Sequence, residues 1–462
     1  MPHHVTAVPI EAARPAPEAF ERFCAEDGCF FLDSGMVSEA IGRHSILGAA
    51  PFMTLRSKGR RMEIATGDKV EHVEGNPFAK LAEILRRHER PAANDGLPFH
   101  SGAVGYFSYD LCHFVERLPD TTIDDILFPD LYLAFYDRAI VYDHIAGKCW
   151  AVAEGESPEE AEGKARGMVA CARRNEDQKP GFLKKPGFSA HSIASNFEKA
   201  EYIEAITRAK EYIAAGDIFQ VNLSQRFSTE IEMDSYELYR RLRRINPAPF
   251  AAYLRFGENA VVSASPERFL QVRGRHVQTR PIKGTRPRGK DPATDEAMRR
   301  ELLASAKDAA ELAMIIDLER NDIGRVCSYG TVKVTQKQVL EAYPTVYHLV
   351  GTIVGDIHPR FGLVDLIKAC FPGGSITGAP KIRSMQIIDE LEPTKRSVYT
   401  GAIGYIDFGG QMDLNIVIRT FLVRGRQAFF QAGGGLVADS DPESEYEETL
   451  HKVRALMEAV QG

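Results

Sequence analysis

This 462-residue chain lacks any run of apolar residues long enough to cross a membrane. Its first residues, Met1-Pro-His-His, also lack the basic start and apolar core of a secretory signal. A cytoplasmic protein without membrane contact is therefore expected. The seven cysteines (Cys24, Cys29, Cys112, Cys149, Cys171, Cys327 and Cys370) are odd in number, form no close CxxC pair and have no histidine at zinc spacing. Neither a disulfide framework nor a zinc centre is expected. A buried apolar thiol is the ordinary role for each, with a cysteine nucleophile as the alternative. Positive charge is not in surplus: the net charge is −7, which argues against general nucleic-acid binding. Dinucleotide and P-loop fingerprints are missing, as is any internal repeat. What remains, 44% hydrophobic and 26% charged residues, is an ordinary globular composition for a soluble enzyme or binding protein. The length suits two or three domains or one large interwoven one.

Residues 1 to 150 alternate short strand-like runs with turn signals: Cys29 to Gly35, Arg60 to Ile64, Gly102 to Phe107 and Leu131 to Tyr136. A helix is expected over 77 to 89, with Asn76 as its cap and Pro77 in its first turn, and another over 157 to 174. The polar Pro/Gly-rich stretch Gln178 to Gly187 marks a boundary between a mixed-sheet region, 1 to 180, and a second region, 190 to 462. From Asn196 helices and hairpins mix without a βαβ rhythm: helix to Ala215, strand 218 to 227, helix 235 to 244, strands 250 to 256 and 260 to 264, and a long helix 293 to 320. That order favours an α+β fold of packed antiparallel sheets surrounded by helices.

Several stretches carry possible chemistry. Glu267, in Ser265-Pro-Glu-Arg-Phe, and Lys283, in Pro281-Ile-Lys-Gly-Thr, lie on turns that flank a short strand pattern. A carboxyl and an amine so held can meet over a substrate, one as acid or base and the other as base or nucleophile. The same stretch also reads as a basic surface hairpin, through Arg280, Lys283, Arg286, Arg288 and Lys290. Asp308 and Glu311 share a helical face, as do Glu445 and Glu448 with Lys452 beyond them. Converging carboxylates suit Mg²⁺; acidic first turns of helices that face water are the alternative. Gly433, Gly434 and Gly435 leave bare N–H groups for an anion, and Arg419 interrupts a strand-forming run, where it needs an anionic partner or a way to solvent. Phe371-Pro-Gly-Gly-Ser375 is a dense turn with a hydroxyl.

Taken in order, Phe219-Gln-Val-Asn-Leu-Ser, Ser265-Pro-Glu-Arg-Phe, Asp317-Leu-Glu-Arg-Asn-Asp-Ile-Gly-Arg-Val, Phe371-Pro-Gly-Gly-Ser, Gly378-Ala-Pro-Lys, Gly401-Ala-Ile-Gly-Tyr and Asp441-Pro-Glu-Ser-Glu-Tyr closely resemble the blocks of the chorismate-utilising enzymes. The resemblance runs from about Asn196 to the last residue and is weaker before it. It implies an enzyme acting on chorismate in a Mg²⁺-dependent site. Glu311, Glu445 and Glu448 would hold the metal, with Asp308 in support. Arg419, Tyr399 and the N–H groups near Gly433 and Gly435 would hold the side-chain carboxylate, and His348 and Ser375 would line the ring. Lys452 falls beside the same carboxylates.

Lys283 places the chain among relatives that aminate chorismate at C4, since the anthranilate-forming siblings usually carry Ala there. In the mechanism this implies, Lys283 adds at C2 as the C4 hydroxyl leaves with a proton from Glu267, and ammonia then enters at C4 and expels the lysine. Gln220 stands where water-using relatives carry a lysine, which favours ammonia. No glutaminase block is recognisable, so a separate glutamine amidotransferase subunit, paired as a heterodimer, is implied. Asp33, Ser34, Pro249 and Phe250 match a tryptophan pocket of relatives, with Asp for Glu at 33 and Pro249-Phe-Ala-Ala for Pro-Tyr-Met-Phe. An anthranilate-forming activity and, more distantly, a non-catalytic ligand-binding subunit are the alternatives.

Overall fold

The computed structural model describes residues 3–37, 41–173, 192–344 and 346–461. Among these, two 12-stranded antiparallel sheets stack face to face. The first runs from His4–Pro9 through Lys148–Gly155, Phe30–Asp33, Phe250–Phe256 and Asn259–Ser265 to Gln427–Leu436 and Gln220–Glu230. The second runs from Ile282–Pro287 through Val346–Asp356, His276–Arg280, Arg268–Arg273, Met412–Ile416 and Ala402–Asp407 to Gly102–Phe107, Leu131–Tyr136 and Met53–Lys58. Phe30, Val141, Phe256 and Val261 from the first sheet meet Val104, Tyr106, Tyr132 and Ile403 from the second in an apolar layer that water does not enter. Helices cover both outer faces: Pro158–Ala172, Ser235–Ile245 and Pro442–Gln461 over the first, Pro77–Arg87 and Ala306–Gly324 over the second. The α+β class expected from the sequence is the one observed.

Regions 1 to 180 and 190 to 462 share both sheets, because Phe30–Asp33 pairs with Phe250–Phe256 and Gly102–Phe107 pairs with Ala402–Asp407. The Pro/Gly-rich stretch Gln178 to Gly187 lies outside the described residues.

Local signals set most element ends. Asn76 accepts hydrogen bonds from the Phe78 and Ala79 N–H groups ahead of Pro77–Arg87, and Ser157 caps Pro158–Ala172. The expected long helix over 293 to 320 is corrected: it is two helices, Pro292–Ala304 and Ala306–Gly324. Ser305 takes an extended conformation between them, and its side chain accepts from the Asp308 N–H, so a hydroxyl capable of capping breaks a pattern whose apolar spacing continues across it. Arg419, with φ 54°, turns the chain between Met412–Ile416 in one sheet and Thr420–Arg424 in the other.

One buried ion pair fastens the loops behind the sheets. Arg396 donates to Glu392 through Nε (2.9 Å) and Nη2 (2.6 Å), and to the backbone carbonyls of Ile376 and Asn222. Glu392 in turn accepts from Ser224 N and Oγ. Both side chains are 1% exposed. A guanidinium in that position satisfies groups from three chain segments that would otherwise be stranded without water. Arg396→Met is expected to lower the unfolding free energy by about 3 to 5 kcal/mol in urea denaturation, because it leaves the Glu392 charge buried without its partner.

Candidate active site

Lys283 owes its placement to a bulge. Lys283 pairs with Leu349 and Thr285 with His348, so two residue steps on one strand oppose one on the other, and Gly284 between them takes φ 76°. A Cβ at Gly284 would lie 2.9 Å from that of Asp308, so only glycine lets the strand come this close to the helix Ala306–Gly324. The Lys283 Nζ donates to the Ser375 carbonyl at 3.0 Å. Burial holds its pKa below the ordinary lysine value even though Glu311 and Glu267 pull the other way.

Glu267, 5% exposed, has an Oε1 3.4 Å from the Ile282 N–H. Burial raises its carboxyl to about 7 against the opposing pull of the Ser375 hydroxyl and Lys283, so it holds a proton near neutrality. The Ser375 Oγ makes no hydrogen bond of sound geometry, and neither do Gln220 Nε2 and Oε1 or Asn222 Oδ1, all of them buried. Buried polar atoms without partners are costly, and four together mark a place shaped for a polar ligand.

The triple glycine sets the floor. Gly433, Gly434 and Gly435 pair with Ser224, Leu223 and Asn222. A Cβ on Gly435 would lie 2.3 Å from Gln220 Nε2 and 3.6 Å from Lys283 Nζ, and one on Gly434 would lie 2.9 Å from Glu445 Oε2. These positions are glycine for space. Lys452 donates to the Gly433 carbonyl (2.9 Å) and pairs with Glu448 Oε1 (2.6 Å), while Glu445 Oε1 accepts from Ser440. Burial raises the Glu311 and Glu445 carboxyls, and each feels a second carboxylate: Glu311 feels Glu445, and Glu445 feels Glu448. Glu448 is lowered, since Lys452, Lys307 and Lys283 outweigh its burial. Among the described residues no three such side chains are yet gathered to coordination distance. Asp308 is turned to Arg286 Nη2 at 3.2 Å.

Near His348 and Tyr399, the Arg419 guanidinium has no hydrogen-bonded or ion-paired partner among the described residues, and burial pulls it below the ordinary value. Tyr399 lies beside it, its hydroxyl pushed up by burial, with the Gly433 amide opposing. His348 is held at about 4 by burial and by Arg419, and its Nδ1 is 2.9 Å from Thr285 Oγ1, so the ring is neutral at physiological pH. The basic run reads differently in three dimensions: Arg280 pairs with Glu341, Arg286 with Glu301 and Arg288 with Asp295, and Lys290 is exposed, which leaves Lys283 as its member in the site.

Asp33, Ser34, Pro249 and Phe250 line a separate cavity of about 310 Å³. Asp33 is already occupied there: Oδ2 accepts from Arg243 Nε (2.5 Å) and Tyr239 OH (2.8 Å). Phe250 lies under the Arg268 guanidinium, 4.9 Å from the ring centre. Asn222 and the Arg396–Glu392 pair were not legible as site features. Asn222 stands two residues beyond Gln220, on the same strand face, and that spacing is the available signal; Glu392 and Arg396 lie just past the end of the helix Lys381–Leu391, where no periodic pattern points to a pair.

An apolar α+β scaffold that gathers a buried amine, a protonated carboxyl, a set of carboxylates and an unpaired arginine is an arrangement for a small polyanionic substrate. Residues 30–458 match the chorismate binding enzyme family, and the chain belongs to that family. It is 40% identical over 444 residues to aminodeoxychorismate synthase component 1 of Escherichia coli, covering 96% of this chain and 95% of that one. It is 43% identical over 423 residues to anthranilate synthase component 1 of Thermus thermophilus, covering 91% and 89%. The crystal structure of anthranilate synthase component I from Streptococcus pneumoniae superposes with a TM-score of 0.80 at 31% identity, covering 91% of this chain and 94% of that one.

Gly435→Ala is expected to lower kcat/KM at least about 10-fold, a cost of ~1.4 kcal/mol in transition-state stabilisation, because the new methyl displaces the Gln220 amide. Thermal stability measured alongside separates this local effect from a loss of fold.

Proposed function

We propose that this chain is the chorismate-aminating subunit of an aminodeoxychorismate synthase, converting chorismate and ammonia to 4-amino-4-deoxychorismate for 4-aminobenzoate and folate synthesis. The observation that carries this reading is Lys283: a buried amine with a lowered pKa, close enough to Glu267 and Glu311 to feel both charges. Overall identity does not separate the two branches of the family, since the relatives of both kinds match at about the same level. Lys283 does, because the anthranilate-forming branch usually carries Ala at that position.

In this reading the neutral Lys283 amine bonds to C2, both ring double bonds shift (C1=C2 and C5=C6 become C1=C6 and C4=C5), and the C4–O bond breaks as the hydroxyl takes the proton of Glu267 and leaves as water. Ammonia then bonds to C4, both double bonds shift back, and the C2–N bond breaks to return Lys283 as the neutral amine. Arg419 and the Gly433 amide suit one carboxylate of the substrate, and neutral His348 can donate to or accept from the ring substituents without adding charge. The Gln220 amide, buried without a hydrogen-bond partner, is available to direct ammonia.

The hard-oxygen donors Glu311, Glu445 and Glu448 fit Mg²⁺, which would screen their mutual repulsion and the charge of the other substrate carboxylate. Ammonia is supplied by a separate glutamine amidotransferase subunit in a heterodimer. All seven cysteines are free, which suits the reducing cytoplasm, and among the described residues no helix is long and apolar enough to cross a membrane. The cavity at Asp33, Ser34, Pro249 and Phe250 is the position for tryptophan. Because Arg243 holds Asp33, calorimetric titration is expected to show tighter tryptophan binding to Arg243→Met than to the wild type; equal affinity would mean that Asp33 is not the group that receives the ammonium.

The decisive test runs the purified chain with chorismate, Mg²⁺ and concentrated ammonium at mildly alkaline pH, with products resolved by mass and retention. Aminodeoxychorismate is expected from the wild type and is lost in Lys283→Ala, while Glu267→Gln slows turnover by about 10²- to 10⁴-fold. Anthranilate from the wild type would overturn the assignment. Chelation is expected to abolish turnover, and added Mg²⁺ to restore it.

A further inference from the structure

Asn222 is a residue of the site wall that the amination steps leave unused. Its main chain is fully engaged: the N–H donates to the Thr377 carbonyl at 2.8 Å, and the carbonyl accepts from Arg396 Nη2 at 2.6 Å. The strand is therefore pinned here through its backbone. The side chain is another matter, since Oδ1 is buried and accepts no hydrogen bond among the described residues. A buried amide oxygen ordinarily has a donor, and one without it is poised for a ligand that brings an N–H or O–H group.

Two glycines let that side chain reach the site. Gln220 and Asn222 share a face of Gln220–Glu230, and the neighbouring strand pairs Gly435 with Asn222 and Gly433 with Ser224. A Cβ on Gly435 would lie 2.3 Å from Gln220 Nε2, and one on Gly433 would lie 2.9 Å from Asn222 Oδ1. Each amide thus lies across a position that only glycine keeps clear. The two amides serve different ends of the cavity. The Gly435 position is 3.6 Å from Lys283 Nζ, whereas Gly433 lies beside Tyr399, which in turn lies beside Arg419.

In the amination reading, on which this inference rests, Lys283 bonds to C2, and the substituent on C3 carries its carboxylate toward Arg419 and the Gly433 amide. C4 lies on the far side of C3 from C2. Gln220 is therefore the amide beside the lysine, and Asn222 the amide beside C3 and C4. We propose that Asn222 Oδ1 receives ammonia and holds it against C4.

The chemistry of the nucleophile favours this kind of group. Ammonia must keep its lone pair for C4, so it can be held only through its N–H bonds, by an acceptor. A carboxylate there would favour ammonium, which has no lone pair; an amide oxygen accepts without a net charge. An amide presents either end by turning about its last bond, and the need for an acceptor selects the oxygen. As the C4–N bond forms, the nitrogen becomes positive and the C2–N electron pair returns to Lys283. Oδ1 then faces a developing cation and binds it more strongly than it bound ammonia.

The test is amination by the purified chain at fixed pH, with ammonium and chorismate varied in turn, for the wild type and Asn222→Leu. Leucine keeps the shape of the side chain and removes the acceptor. kcat/KM for ammonia is expected to fall at least about 10-fold. The Kd for chorismate in the presence of Mg²⁺, read by calorimetry, and the unfolding temperature should stay at the wild-type values. An unchanged dependence on ammonia overturns the proposal. So does weaker chorismate binding, which would make Asn222 a contact of chorismate, or a fall in kcat and stability with the ammonia KM unmoved, which would make its role structural. Asn222→Ala, with the same expectations, serves if Asn222→Leu does not fold. A wild type that forms anthranilate, or no aminated product, refutes the amination reading itself, whatever the variants do.

Discussion

The contact on which the site most depends lies behind it. Arg396 and Glu392, four residues apart in the loop that follows the helix Lys381–Leu391 and both almost wholly buried, hold the strand Gln220–Glu230 through the Asn222 carbonyl and Ser224, and hold the turn Gly374–Ile376 through the Ile376 carbonyl. Arg396 also stacks over Tyr109 at 4.9 Å and Tyr399 at 5.9 Å. Gln220, Ser375 and Tyr399 therefore take their positions from one guanidinium. A buried ion pair is weak as a source of net stability, because desolvation offsets most of the attraction. Its value here is geometric: five hydrogen bonds from Arg396 with fixed directions, the fifth to Thr400 Oγ1, allow one arrangement of the chain segments it joins.

In front of that support, burial sets the protonation of the site. Glu267 is raised to about 7 and His348 is held at about 4, while Lys283 is lowered. Each shift favours the uncharged form, as removal from water requires. A protonated carboxyl, a neutral imidazole and an amine with a lowered pKa can then coexist near neutrality on elements as separate as the link from one sheet to the other, a bulged strand and the strand it pairs with. The carboxylates on Ala306–Gly324 and Pro442–Gln461 supply the compensating negative charge, and the unpaired Arg419 guanidinium lies near His348 and Tyr399.

Much of this was legible from the residues. Alternation and turn signals located Gly102–Phe107, Leu131–Tyr136 and Phe250–Phe256, and capping residues located Pro77–Arg87 and Pro158–Ala172. The missing βαβ rhythm indicated antiparallel sheets. The break at Ser305 was hidden because the helical apolar pattern runs through it, and a serine inside such a pattern reads as a tolerated polar residue unless its bond to the Asp308 N–H is known. The charge run from Arg280 to Lys290 was ambiguous for a related reason: whether an arginine faces an anion or water is settled by carboxylates distant in sequence, such as Glu341 and Glu301.

The sequence by itself determined the class of many of the elements, the family, and a set of candidate residues, because propensity, capping and motif spacing are local. Tertiary structure alone decided which of those residues share a pocket and in what protonation state. Lys283 becomes a candidate nucleophile only because a bulge at Gly284 turns it toward Ser375, and Glu267 holds its proton only because two sheets exclude water from it. Asp33 has the residue type of an ammonium receptor, yet Arg243, more than two hundred positions along the chain, already occupies it. Desolvation and pairing depend on neighbours brought together by folding, and no local pattern encodes them.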